Sequence, residues 1–155
     1  MKKDLGVLLS VSSLPGNHGI GDFGESCYRF IDWLNNNNYK YWQVLPLNPL
    51  GPGYSPYMSM CSNAIEYRYI SLDFLTREGL LDKVPAHDKN TTKVDFTDVG
   101  EYKEKYLRKA FKKFMKLHKE TLHKFKYREP WVSDYATFVV FRQKNDNRPW
   151  NEWVE

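Results

Sequence analysis

The segment that most restricts what this chain can fold into is residues 41–59, YWQVLPLNPLGPGYSPYMS. It opens as a short apolar run, Tyr41-Trp42-Gln43-Val44-Leu45, whose aromatic and β-branched residues suit a buried strand. Pro46 has no N–H to give to a sheet ladder and ends the run. Pro49, Gly51, Pro52, Gly53 and Pro56 then crowd together, a composition that only an irregular loop accommodates. The loop closes on Tyr54-Ser55-Pro56-Tyr57, two phenols and a hydroxyl on a stiff backbone. A strand running straight into a rigid loop of rings and hydroxyls is how α/β enzymes present ligand contacts, at the carboxyl ends of strands. The competing reading is a structural loop that packs its tyrosines on the surface, and the loop alone does not decide between the two.

A second apolar run, residues 5–11 (LGVLLSV), has the same look of a buried strand. It leads into the polar Gly/Pro loop SSLPGNHGIGD. Gly21 or Asp22 can cap a helix there, since Phe23, Cys27, Phe30, Ile31 and Leu34 recur at helical spacing. Residues 35–38, all Asn, should end that helix, because Asn readily takes the left-handed conformation of helix C-termini. The opening therefore reads β-loop-α-β, with parallel strands covered on both faces. The glycines of Gly19-Ile20-Gly21-Asp22-Phe23-Gly24 spell a dinucleotide fingerprint but fail its context. The loop before them is too long, and no acidic residue closes a strand about twenty residues on.

Beyond the central loop, residues 69–72 suggest a short strand and residues 73–81 a short helix stopped at Gly79. Residues 84–95 are polar and turn-rich, with Thr97 or Asp98 as the next helix cap. Residues 99–126 then read as one long amphipathic helix. Tyr102, Tyr106, Ala110, Phe111, Phe114, Leu117, Thr121, Leu122 and Phe125 form its buried stripe. Nearly half of the 23 Lys and Arg residues lie between Lys103 and Arg128, so the net charge of +4 is a property of this segment. A complete aromatic stripe already gives the helix a protein partner. Its basic side is accordingly read as a solvated face, and not as a surface for nucleic acid or an anionic membrane. After Pro130, residues 131–144 form a further helix and residues 145–149 a turn. The sequence then stops at two tryptophans, Trp150 and Trp153, with no polar tail, as a chain cut rather than finished would.

No apolar run approaches the roughly 20 residues of a membrane span, and residues 5–9 are too short for a secretory signal. Cys27 and Cys61 have neither CxxC spacing nor disulfide-rich density, which fits a cytoplasmic protein. His18, His87, His118 and His123 are dispersed, so no metal site is expected, and no cofactor is expected either.

Four segments, SVSSLPGNHGIGDFG, YWQVLPLNPLGPGYSPYMS, ISLDFLTREGLL and SDYATFVVFRQKNDNRPWNEW, resemble in order and spacing the N-terminal part of the 4-α-glucanotransferases, the amylomaltase or disproportionating-enzyme family. The resemblance implies the first third of an α/β protein, the N-terminal part of a (β/α)8 TIM barrel with a helical insertion, the barrel being incomplete in this chain. Residues 1–82 would then be the first βα units with the sugar-binding loop, and residues 83–155 a mainly helical insertion, truncated at its end. It implies α-1,4-glucans as substrates and transfer with retention to the 4-hydroxyl of another glucan, by two carboxylates carried on later strands. No catalytic residue is therefore assigned in this chain; Asp22, Asp73 and Asp134 are not those groups. Ser55 and Tyr57 match the family's Ser-Pro-Tyr positions that line the subsite of the transferred sugar. Three positions depart from the family pattern: Ser10 for the usual His, Met58 for Gln, and Ile65-Glu66-Tyr67 for Gly-Asn-Pro. The alternative is a non-catalytic glucan-binding fragment.

Overall fold

The two apolar runs pair in parallel, over a shorter length than their sequence suggests. In the computed structural model of the protein, which describes residues 4–87 and 92–153, strand β1 is Gly6–Leu8 and strand β2 is Tyr41–Gln43. Gly6 stands opposite Tyr41, Val7 opposite Trp42 and Leu8 opposite Gln43. A side chain at Gly6 would put its Cβ 3.0 Å from that of Tyr41, so glycine lets the strands close. Coverage on both faces is corrected: Leu8 is 60% exposed and Tyr41 62%, while the alternate residues Val7 and Trp42 are partly shielded. The pleat sends neighbours to opposite faces, and Trp42 meets Phe30 edge-on at 5.1 Å.

Phe30 belongs to helix α1, Glu25–Asn36, which begins after Gly24 with no side-chain cap. The expected cap, Asp22, is used elsewhere. The C-terminal end is as the asparagines suggest, with Asn38 left-handed at φ 60°. Residues 69–72 do not form a strand. Tyr67–Tyr69 is a 3-10 turn, and the Ser71 hydroxyl accepts from Phe74 N to start helix α2, Leu72–Arg77. Gly79, at φ 72°, follows its end.

Helix α3, Phe96–Leu117, starts earlier than expected, because Asp95 and not Thr97 or Asp98 caps it. The Asp95 carboxylate accepts from Thr97 N (3.1 Å) and Asp98 N (3.0 Å). The single long helix is two: His118, at φ −133° and ψ 33°, separates α3 from α4, Lys119–Arg128. Burial along the apolar stripe fades before this break. Ala110 is buried, whereas Phe111 is 52% exposed and Leu117 62%. Periodicity reads the stripe and cannot see where packing stops. Helix α5 is Trp131–Lys144, and Trp153 turns back onto its Phe138 (5.5 Å between ring centroids), leaving Trp150 exposed. Of the polar stretch 84–95, residues Asp88, Asn90 and Thr91 lie outside the described residues.

The chain divides into two compact units, Met1–Phe114 and Met115–Glu155. In the first, Val11, Ile20, Tyr69 and Val99 form one buried cluster, with Trp42, Val44 and Leu47 against it. Leu72, Leu80, Leu81 and Ala110 form another. The first five turns of α3 are thus part of the unit that carries the sheet and the central loop. The second unit holds α4 and α5.

Candidate functional site

The loop after β2 is a built structure. Two 3-10 turns, Pro52–Tyr54 and Pro56–Met58, follow one another, each with a proline in its first turn where φ is already set. Gly51 N donates to Ser55 O (2.9 Å), and a Cβ on Gly51 would fall 2.0 Å from Met58 O, so the chain folds tightly back over this glycine. The Ser55 hydroxyl accepts from Tyr57 N (3.3 Å). Ser55 and Tyr57 are therefore adjacent and mutually fixed. The Tyr57 side chain, in a residue 73% exposed, is a free aromatic face with a hydroxyl beside it. Tyr54 is instead used inside the fold: its ring stacks on Phe96 at 5.2 Å and its hydroxyl meets Thr97 Oγ1 at 2.5 Å.

Beneath the loop lies a buried ion pair. Glu66 is 1% exposed. Its Oε2 accepts from Leu50 N (2.9 Å); its Oε1 accepts from Arg68 N (3.2 Å) and Arg68 Nη1 (2.6 Å). Arg68 Nε donates onward to Phe96 O (3.1 Å). The guanidinium lies 4.6 Å from the Tyr67 ring centroid and 5.7 Å from that of Tyr54, within cation–π range of both. Burial pushes the Tyr67 hydroxyl above its usual range, against the opposing pull of Arg68.

Two further polar constellations serve the fold of the first unit. Lys103, read as part of the solvated basic face, is fully buried. Its ammonium donates to Asp22 Oδ2 (2.7 Å), Arg68 O (2.7 Å) and Ile70 O (3.0 Å). His18, 2% exposed, lies between Tyr102 and Asp73. Tyr102 Oη donates to Pro85 O (2.5 Å) and so accepts from His18 Nδ1 (2.9 Å), while His18 Nε2 faces Asp73 Oδ1 at 3.1 Å. Burial, with Tyr106 and Asp73 adding to it, pushes the Tyr102 hydroxyl up to about 12. His87 stacks on the same ring at 4.1 Å and its Nε2 lies 2.7 Å from Asp98. Asp22 and Asp73 are thus occupied by structural partners. A cleft of about 670 Å³, lined by Ser12, Leu14, Gly16, His87, Asp95 and Asp98 among others, opens beside this array, away from Ser55 and Tyr57. Among the described residues no cluster of His, Cys, Asp and Glu could hold a metal ion.

The structure places Ser55 and Tyr57 on one turn, and it shows partners for Glu66, Arg68, Lys103 and the two histidines around Tyr102 that sequence patterns did not indicate. One signal for Lys103 was present: it shares a helical stripe with Val99, Leu107 and Ala110, the face that turns inward. Arg68 lies only two positions from Glu66, but the other partners, a loop amide for Glu66 and residues up to 84 positions from His18, are announced by no local pattern.

The sequence model of one family, 4-alpha-glucanotransferase, matches residues 9–155. The chain is 35% identical to the 4-alpha-glucanotransferase of Synechocystis, over 98% of this chain and 32% of that protein. It is 39% identical to the one from Aquifex aeolicus, over 97% and 31%. With the chloroplastic or amyloplastic enzyme of Arabidopsis thaliana it shares 35%, over 99% and 28%. Among solved structures, an amylomaltase from Streptococcus agalactiae in complex with acarbose superposes with a TM-score of 0.92 at 35% identity, over 99% of this chain and 32% of that one. The chain spans about a third of the length of the curated relatives it matches.

Proposed function

The chain belongs to the 4-alpha-glucanotransferase family, and from that premise we propose that the protein moves α-1,4-linked glucose segments from one maltooligosaccharide to the 4-hydroxyl of another. The observation that carries this reading is the preset loop. Tyr57 holds out an apolar ring for the C–H face of a glucose unit, with its backbone N–H tied to the Ser55 hydroxyl. The reaction retains configuration through two carboxylates about 5–5.5 Å apart, one nucleophile and one acid/base. The resemblance puts those carboxylates on later strands, which leaves this chain the sugar-binding rim; Asp22 and Asp73 are tied to Lys103 and His18. The β1-α1-β2 unit is the start of a (β/α)8 barrel, and residues 83–155 are its mainly helical insertion. No described helix is long and apolar enough to cross a membrane, and both cysteines are free. Both observations are consistent with a cytoplasmic site of action.

The test is incubation of the full-length protein with maltotriose. Transfer yields glucose and longer oligosaccharides at a constant number of reducing ends; a rising number would mean hydrolysis instead. Acarbose, bound in the Streptococcus agalactiae amylomaltase, should compete. Tyr57→Ala should lower kcat/KM on the order of tenfold or more, and Tyr57→Phe less, since the ring stays. Unchanged kinetics in Tyr57→Ala would remove Tyr57 from the site.

A further inference from the structure

We propose that Glu66 and Arg68 are positioning residues for the glucan-binding loop, an ion pair that sets the placement of Ser55 and Tyr57 against the start of α3. The proposal rests on the reading of that loop as the sugar-binding rim, and three observations carry it.

The first is where the carboxylate spends its lone pairs. A buried carboxylate is costly unless hydrogen-bonded and paired, and Glu66 at 1% exposure is both. One oxygen faces the guanidinium; the other takes the N–H of Leu50, the residue before the tight return at Gly51. A second strand of the same tether is Glu66 N to Leu47 O (2.8 Å). The entrance to the loop is thus held by one residue at two points. The second observation is the reach of Arg68. It grips the carbonyl of Phe96, and Phe96 is the ring on which Tyr54 stacks, three residues before Tyr57. Loop entrance, loop middle and helix start are joined through one guanidinium. The third is the space reserved for it. A Cβ on Gly100 would lie 2.8 Å from Arg68 Nη2 and 3.0 Å from the Tyr67 hydroxyl, so α3 carries glycine where the guanidinium passes. Neither charged group reaches the exposed face of Tyr57, so their effect on a bound sugar is indirect.

Lysine cannot replace this arginine, because a single ammonium cannot serve Glu66 and Phe96 O in the planar fork geometry. Glutamine at 66 keeps the shape but loses the charge that pairs Arg68, leaving a guanidinium that is largely out of water without its counter-ion.

The experiment compares wild type, Glu66→Gln, Arg68→Lys and Leu72→Ala in the full-length protein, at a temperature where circular dichroism shows all four folded. Leu72 is fully buried in the other cluster and controls for loss of stability alone. Two readouts are taken: amide hydrogen exchange of peptides covering residues 47–58, and the separate kcat and KM for maltotriose. Glu66→Gln should speed exchange of that segment by about tenfold or more and raise KM by about tenfold, with kcat within about twofold, from the loss of one charge-assisted contact. Arg68→Lys should move both in the same direction, and Leu72→Ala neither. Unaltered exchange in Glu66→Gln would overturn the tether. Faster exchange with unchanged KM, or the same KM shift in Leu72→Ala, would overturn the positioning role. A wild-type protein inert toward maltotriose would instead refute the functional reading, while the exchange measurement would still decide the tether.

Discussion

Lys103 is the residue at which charge and burial conflict most sharply. Its ammonium is fully buried and has three acceptors, one of them the Asp22 carboxylate. Burial pushes its pKa down from 10.5, and Asp22 pushes it back up without cancelling the effect. Removing one partner of such a pair costs more than the pair itself contributes, because the other charge stays buried. Lys103→Met should therefore destabilise the fold by roughly 3–5 kcal/mol, read from denaturant unfolding, since it orphans Asp22 and two carbonyls. The pH dependence has a definite sign. The folded-state value lies below the unfolded one, so between them the unfolded chain holds more protons and stability rises with pH. The stability gap between wild type and Lys103→Met should thus widen as pH rises through that interval toward 10.5, and a narrowing gap would refute the account.

Among the elements, apolar runs with their Pro and Asn stops were legible in the sequence, whereas side-chain-directed turns and the break of the long helix at His118 were not. The positions of β1, β2, α1 and α5 follow from apolar pattern, proline and asparagine. The apparent strand at residues 69–72 lost to a serine: the Ser71 hydroxyl offers its neighbours' amides a helical start that outcompetes a ladder with no waiting strand. The same chemistry, Ser55 for Tyr57 N and Glu66 for Arg68 N, shapes the 3-10 turns about the candidate site, and no periodicity reports it. Two glycines in that loop separate space from backbone strain. Gly51 has an ordinary φ of −84°, but a Cβ there collides with Met58 O. Gly53 has φ 64° with nothing within 4 Å. Gly51→Ala should therefore shift the Tyr57 turn and raise KM for maltotriose by about tenfold, comparable to losing one good polar contact. Gly53→Ala should cost about 1–2 kcal/mol of stability with KM nearly unchanged. Equal effects of the two on KM would show that the tight return at Gly51 does not set the loop.

For the whole molecule, the sheet is the feature that local reasoning could not complete. Two three-residue strands make a marginal unit in water, and here one face keeps Leu8 and Tyr41 more than half exposed. Among the described residues each strand also presents an unpaired edge, a template for further pairing. The Streptococcus agalactiae amylomaltase, which this chain superposes on over 32% of its length, has further chain beyond the matched part. The 155 residues on their own should accordingly associate, eluting ahead of an 18.4 kDa monomer and binding a hydrophobic dye. The paired substitution Leu8→Lys with Tyr41→Lys should weaken that association by placing like charges on the open face. In the full-length protein the same pair should destabilise, because burying each native side chain is worth roughly 1.5–3 kcal/mol and a buried lysine adds its own desolvation cost. The opposite signs are the diagnostic. If the isolated 155 residues are a well-behaved monomer, or if the lysine pair is harmless in the full-length protein, then this face is solvent-facing in the native molecule and β1 and β2 are not the opening strands of a closed barrel.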